Sequence, residues 1–326
     1  MFDNRRERFL DSVSFGVLGT GWRPPVRPQL LLAFTMVLAC DCSSQRPPGT
    51  VEDTLTSGRI SVVCAPEVLP VIAREVAVFD SLYPAASIVV KSGSSREAVR
   101  ALFAAECDLA VITRDLEPEE RGAAVRGRLE LEGYPFAKDG LVIVVHPANP
   151  VENIALEDVR GIYQGEIRHW DAVGGTRTAI EPVIQTPGSD VAAFFEQRVM
   201  NGEPVEARVV YETSDSGVVA EVSRRPEAIG FVSMAWADRG VKALRVASLK
   251  GLSYWRPDPE AVHGGDYPLT RPMNLYVRPR GPALANGLIT FITSRDGQVV
   301  VHEEGLVPTA IPVRFVRRSP MLGSHR

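Results

Sequence analysis

The sequence lacks the marks of a metal or redox enzyme. Its five histidines are scattered, with no His-Glu-x-x-His pairing, and its four cysteines form no Cys-x-x-Cys. Those absences exclude the common zinc and iron–sulfur spacings. Gly-x-Ser-x-Gly and P-loop patterns are missing too, which removes the usual hydrolase and nucleotide-binding signatures. Neither sign of charge is in excess: 36 basic against 40 acidic residues give a net charge of −4, so no field draws nucleic acid. No apolar run is long enough to span a bilayer. No cofactor or metal is expected.

What is present begins with a targeting segment. Arg23 and Arg27 precede the apolar run Leu30–Ala39, followed by Cys40 in Val37-Leu38-Ala39-Cys40. A short apolar core with a small residue at its end is signal-peptide chemistry. The tetrapeptide resembles a bacterial lipobox, which implies cleavage after residue 39 and acylation of Cys40. Removal of residues 1–39 takes five basic and three acidic residues, leaving 31 against 37 and a net charge of −6. A mildly acidic body does not attract anions from afar, so any anion capture is local. Residues 40–57, with Pro47-Pro48-Gly49, read as a tether. Cys64 is expected to end a strand and Cys107 to begin its neighbour. That places them roughly 15 Å apart at about 3.3 Å per residue, as free buried thiols rather than a disulfide.

Val89–Leu116 organises the rest. An apolar run ends at Val90, Ser92-Gly93-Ser94-Ser95 supplies turn and N-cap chemistry, and Arg96–Ala105 carries Val99, Leu102 and Phe103 at helical spacing. Leu109–Ile112 is a wholly apolar strand of the kind buried in a parallel sheet. Ser94 and Ser95 follow the first strand, Thr113 and Arg114 the second. Ligands of open parallel sheets sit at those carboxyl ends, where helix starts offer N–H groups and the positive dipole end. The stretch reads as half of an anion cradle. Such Ser/Gly turns are also ordinary helix caps, and the Thr-Arg pair is what argues for a ligand.

Along the chain, strands are expected at Arg59–Cys64, Leu141–Val145, Glu181–Ile184, Ala228–Val232, Ala243–Val246 and Met273–Val277. Helices are expected at Pro70–Tyr83, Glu117–Arg128, Leu156–Tyr163, Asp190–Met200, Val218–Arg224 and Leu284–Ser294. Alternation of this kind implies α/β architecture with parallel sheets, and the chain is long enough for two lobes. The first crossing between lobes is placed at His146–Pro150. One lobe then comprises 58–145 plus 270–316 and the other 146–269, with a tail at 317–326.

CDLAVITRDL, DVRGIYQGEIRHWDAVGG, QTPGSDVAAFFE, RRPEAIGFVS, YPLTRPMNLYV and FITSRDGQVVVHEEGLVP occur in this order from about Arg59 to Ile311. Together they resemble the periplasmic phosphate-binding proteins of bacterial ABC importers. The resemblance implies a two-lobed, type II solute-binding α/β fold with a ligand cleft between the lobes, and no enzymatic activity. It implies a monomer outside the cytoplasm, in the periplasm or at the cell surface, held to the membrane by lipid alone. Its partners would be phosphate or a related oxyanion and the membrane permease of an ABC importer. The alternative is a sensor or interaction lipoprotein that kept the fold and changed or lost the ligand. GIYQGEIRHW and AIGFV are the most particular stretches, read as lobe packing.

Carried over by position, the oxyanion-binding set is Glu67, Val68, Ser94, Thr113, Arg114, Gly188, Ser189 and Asp190. Here the chain departs from the family's pattern. Cys64-Ala65-Pro66-Glu67 stands where hydroxyl residues are usual, and Gln185-Thr186-Pro187-Gly188-Ser189-Asp190-Val191 has lost an Arg and a Thr. One carboxylate suits a protonated phosphate, whose O–H it accepts. Two are harder to fit, since unit charges roughly 4 Å apart interact by about 4 kcal/mol at an effective dielectric near 20. Asp190 is therefore read as the N-cap of the following helix. Glu67 is either a pocket acceptor that makes binding depend on a proton or a first-turn helix acid.

Overall fold

The computed structural model describes residues 52–309. The leader, Cys40, most of the tether and the tail at 317–326 lie outside the described residues. The first half of the fold runs β1 (Gly58–Cys64), α1 (Leu69–Leu82), β2 (Ala86–Ser92), α2 (Ser95–Phe103), β3 (Leu109–Ile112), α3 (Pro118–Gly127) and β4 (Glu132–Val145). The second runs β5 (Asn153–Ala155), α4 (Leu156–Tyr163), β6 (Glu181–Gln185), α5 (Asp190–Arg198), β7 (Val210–Glu212), α6 (Asp215–Arg224) and β8 (Ala228–Ser233). It closes with β9 (Lys242–Ala243), β10 (Arg245–Ala247) and α7 (Pro259–Gly264). The chain then returns through β11 (Thr270–Val277), α8 (Ala283–Ile292), α9 (Arg295–Glu303) and β12 (Val307–Pro308).

Strands follow the path β2-β1-β3-β11-β4-β8-β6-β7. The outer strands are parallel, with Gly58 opposite Ala86 and Val183 opposite Val210. The centre is antiparallel, because β11 brings the chain back past β4 as β4 leaves. The lobes are therefore joined by two strands rather than by loops. Phe136 and Ala137 of β4 pack in a core with Ile60, Val62, Phe79 and Leu275. Leu141, Ile143 and Val145 of the same strand pack with Tyr163, Trp170, Phe195 and Phe231. The change of core falls between Ala137 and Leu141, ahead of the His146–Pro150 break.

The early half of β4 had no strand signal, and its composition explains why. Gly133, Pro135, Lys138, Asp139 and Gly140 are all poor strand residues. Pro135 pairs opposite Asn274 beside a register slip between Met273 and Asn274 that leaves Phe136 without a partner on β11.

Leu156–Tyr163 and Leu109–Ile112 fall at their expected bounds, and the other expected helices lie within a turn of theirs. The expected strand Ala243–Val246 is instead two short strands, β9 on β4 and β10 on β5, and β5, β7, β12, α7 and α9 carried no signal in the spacing. Tyr163 is buried and its hydroxyl donates to the Val183 carbonyl at 3.0 Å. Trp170 Nε1 donates to the Glu227 carbonyl at 3.1 Å, and Phe195 stacks on Phe231 at 4.0 Å. The GIYQGEIRHW and AIGFV stretches thus build the second core. His169 is exposed. Cys64 and Cys107 are buried and free.

Candidate functional site

Every residue of the candidate site lies where a strand runs out. β1 ends at Cys64, and a single 3-10 turn over Pro66–Val68 presents Glu67. Val68 is buried, and its N–H is already given to the Ala65 carbonyl at 3.1 Å. After β2, Ser94 caps α2 in a reciprocal box: its Oγ accepts from the Glu97 N–H while the Glu97 carboxylate accepts from the Ser94 N–H. The Ser94 hydroxyl is thereby committed to its own helix. Ser95, one residue on, is the fully buried hydroxyl. After β3, the N–H of buried Thr113 donates to Ser95 Oγ at 3.1 Å.

In the second lobe, β6 ends at Gln185 and turns through Gly188, whose φ of +92° is a left-handed conformation that suits glycine. Ser189 caps α5, its Oγ accepting from the Ala192 N–H at 3.1 Å. Asp190 is not the cap, contrary to expectation; it is the first residue of α5 and its side chain is used elsewhere.

Asp190 reaches across to the first lobe. Its Oδ2 accepts from the Ser95 N–H at 2.9 Å and from the Ser95 hydroxyl at 2.6 Å. The N-terminus of α2, which the sequence marked as an anion cradle, thus holds a carboxylate from the opposite lobe. Glu67 makes the converse approach toward α5. Burial raises the Glu67 carboxyl above its ordinary range; Arg271 opposes the rise, Asp190 adds to it, and the Val191 N–H at the start of α5 offsets part. Two carboxylates therefore approach each other at the cleft, that of Asp190 held by the Ser95 N–H and hydroxyl.

Arg114 does not offer a free charge. Its Nη1 and Nη2 donate to the two oxygens of Glu120 at 2.7 and 2.8 Å, a bidentate pair within the first lobe. Nη1 also meets the Asp115 carbonyl at 2.9 Å. The cation deepest in the cleft region is Arg271 on β11, fully buried. Its Nε and Nη2 donate to Asp139 Oδ2 at 3.0 and 2.8 Å. The other oxygen of Asp139 accepts from Ser233 Oγ at 2.8 Å and the Met234 N–H at 3.1 Å. Arg271 also lies 6.0 Å from the Phe194 ring on α5. Asp215, the first residue of α6, accepts from Gln185 at 2.9 Å; burial pushes its carboxyl up to about 7, with Arg271 pulling the other way.

The structure brings Glu67, Thr113 and Asp190 together with Ser95, one of the strand-end hydroxyls of the expected cradle. Gly188 and Ser189 shape the turn that delivers Asp190. Ser94 and Arg114 are bound up within the first lobe. Arg271, Asp139 and Asp215 were missed: each is a charged residue in or beside a strand, and the only signal was the pairing of a lone Asp with a lone Arg on strands that sit side by side. Among the described residues, no cluster of His, Cys, Asp and Glu could hold a metal ion, and no helix is long and apolar enough to cross a membrane.

Two α/β lobes joined by a pair of strands, with loops from both meeting at strand ends, define a cleft-type binding protein. Residues 49–296 match the PBP superfamily domain, and the chain belongs to that superfamily. It is similar to the phosphate-binding protein PstS of Bacillus subtilis, 24% identical over 289 residues, which cover 86% of this chain and 92% of the relative. The PstS of Pseudomonas aeruginosa is 23% identical over 281 residues, covering 81% of this chain and 86% of the relative. Among solved structures it is similar to a substrate-binding protein assigned to a phosphate ABC transporter of Clostridium perfringens, determined with bound phosphate. That match has a TM-score of 0.66 at 25% identity and covers 77% of this chain and 100% of the other. An ABC-type phosphate transport receptor from Vibrio cholerae matches with the same TM-score at 24% identity, again over 77% and 100% of the two chains.

Proposed function

We propose that the protein is an extracytoplasmic solute-binding protein that takes phosphate or a similar oxyanion between its lobes and presents it to the permease of an ABC importer. The observation that carries this reading is the meeting of strand-end loops from both lobes at Ser95, Thr113, Glu67 and the start of α5, in a chain whose curated relatives bind phosphate. The Ser95 donors that hold the Asp190 carboxylate would pass to a ligand oxyanion on closure, and a cleft carboxylate would accept its O–H. Glu67, Val68, Thr113, Gly188, Ser189 and Asp190 remain the proposed loop residues, with Ser94 and Arg114 supporting them from behind. Opening and closing is a bend of the two crossing strands, β4 and β11.

The test is thermal unfolding with and without inorganic phosphate. A ligand that binds only the folded state at 100 times its Kd adds about 2.7 kcal/mol of stability, so the melting temperature should climb with phosphate. No shift at any concentration would favour a second reading, a ligand-free interaction lipoprotein. That reading has one observation behind it, the carboxylate of Asp190 in the place at α2 where an anion would sit.

Attachment is proposed to be by lipid at Cys40, with the chain working as a monomer in the periplasm or at the cell surface. Cys40→Ala should release the protein from the membrane fraction or stop its maturation. Unchanged fractionation together with an unchanged mature mass would refute the anchor.

A further inference from the structure

Ten large apolar side chains are exposed among the described residues, and four of them fall within seven positions: Leu249, Leu252, Tyr254 and Trp255. All four belong to the loop that follows β10 in the second lobe. Val246 and Trp255 close its base, each N–H donating to the other's carbonyl at 2.9 Å. At the tip the Leu252 N–H donates to the Leu249 carbonyl at 3.2 Å, and Gly251 takes the left-handed turn with a φ of +86°. The tip is also pinned to the start of α4. The Lys250 N–H donates to Glu157 Oε2 at 2.9 Å, and Lys250 Nζ meets Asp158 Oδ1 at 2.7 Å. Four apolar side chains are thus held out in water by a loop tied at both base and tip. A single exposed leucine needs no explanation, but a cluster on an ordered loop marks a contact surface.

The order of residues along the loop indicates what it contacts. The two leucines at the tip are 52% and 54% exposed, and Tyr254 and Trp255 nearer the base are 38% and 39% exposed. Aliphatic groups outermost with Tyr and Trp behind them is the depth order of a bilayer interface, where aromatic rings sit at headgroup level. A protein hot spot is built differently, with Trp, Tyr and Arg dominant and Leu under-represented. Arg256 follows the aromatics and is exposed, placed for a lipid phosphate, whereas Lys250 is spent on Asp158. One such cation gives little electrostatic attraction, so zwitterionic lipid is enough.

We propose that the loop over 248–256 is a bilayer-docking wedge, with Leu249 and Leu252 below the headgroups and Tyr254 and Trp255 at their level. This goes beyond the solute-binding reading and holds whichever solute the cleft takes. A bilayer is at hand wherever the chain serves a membrane permease. Residues 40–51 extend to about 40 Å at about 3.4 Å per residue, enough for a chain anchored at Cys40 to lay this loop on the surface. Docking through the second lobe leaves the first free to swing as β4 and β11 bend.

The experiment holds the mature chain by an amino-terminal histidine tag on phosphatidylcholine vesicles that contain a nickel-chelating lipid, so the result does not depend on acylation. Tryptophan emission is compared between ordinary and acyl-brominated phosphatidylcholine. The other tryptophans of the mature chain are Trp170, buried in the second core, and Trp236, covered on one face by Arg239. Brominated lipid should quench wild-type emission, and Trp255→Phe should remove most of that quenching. Leu249→Ser combined with Leu252→Ser should weaken insertion at least about tenfold, a floor for the loss of two buried leucines. Both positions are exposed, so the melting temperature of that variant should stay where it is. Wild-type emission that brominated lipid leaves unchanged overturns the proposal and leaves the loop to a protein partner. Quenching that survives the double serine variant, or that Trp255→Phe does not reduce, overturns it as well.

Discussion

Asp139→Ala should cost the protein about 3–5 kcal/mol of stability, the usual loss when one member of a buried ion pair is removed. Both partners are completely buried, and Asp139 is the only anion that Arg271 touches among the described residues. The alanine variant strands a guanidinium inside the protein and also orphans Ser233 Oγ and the Met234 N–H. The damage falls on the joint between lobes, because Asp139 on β4 binds Arg271 on β11 and the end of β8 together. Asp139→Leu combined with Arg271→Met should recover most of the loss, since replacing both charges by apolar groups of similar size is often neutral. Urea denaturation of the single and double variants reads both numbers. A single variant that loses less than about 1 kcal/mol would mean that water or backbone replaces Asp139, contrary to its enclosure.

The second large effect works in the opposite direction. Glu75→Met should stabilise the protein at neutral pH, by about 2–3 kcal/mol. Glu75 sits on α1 with zero exposure, and neither carboxylate oxygen has a hydrogen-bond partner. Burial pushes its carboxyl from an ordinary 4.5 up to about 8, with neighbouring Arg74 pulling slightly down. The folded-state pKa therefore lies above the unfolded one. Stability from the protonated side chain is complete below about pH 4.5 and is lost as pH climbs to about 8. Wild type should gain on Glu75→Met as pH falls from 8 to 5, and the difference between the two melting temperatures should close. Two melting curves that stay a constant distance apart across that range would show that Glu75 finds a partner or water when ionised.

Much of this fold is written in apolar spacing. Leu109–Ile112 and Leu156–Tyr163 fall where spacing put them because their buried faces leave one possible register. The first half of β4 was illegible for the opposite reason: its strand conformation comes from pairing with β11, not from its own residues. The same holds for the site. Strand-end hydroxyls are legible in the sequence, since turns and caps are local chemistry. Which hydroxyl faces the cleft was decided by one residue of helix phase, turning Ser94 to its own helix and Ser95 inward. Asp190 and Arg114 differed from expectation through contacts that local pattern cannot encode, one to the opposite lobe and one to Glu120 on α3.

The cleft between the lobes is the proposed phosphate site. Titration calorimetry of folded protein with inorganic phosphate tests it most directly. Folded wild-type protein should give a saturable heat with one phosphate bound per chain. A flat titration of well-folded wild-type protein would contradict it, leaving Asp190 on Ser95 as the permanent tenant of the cleft.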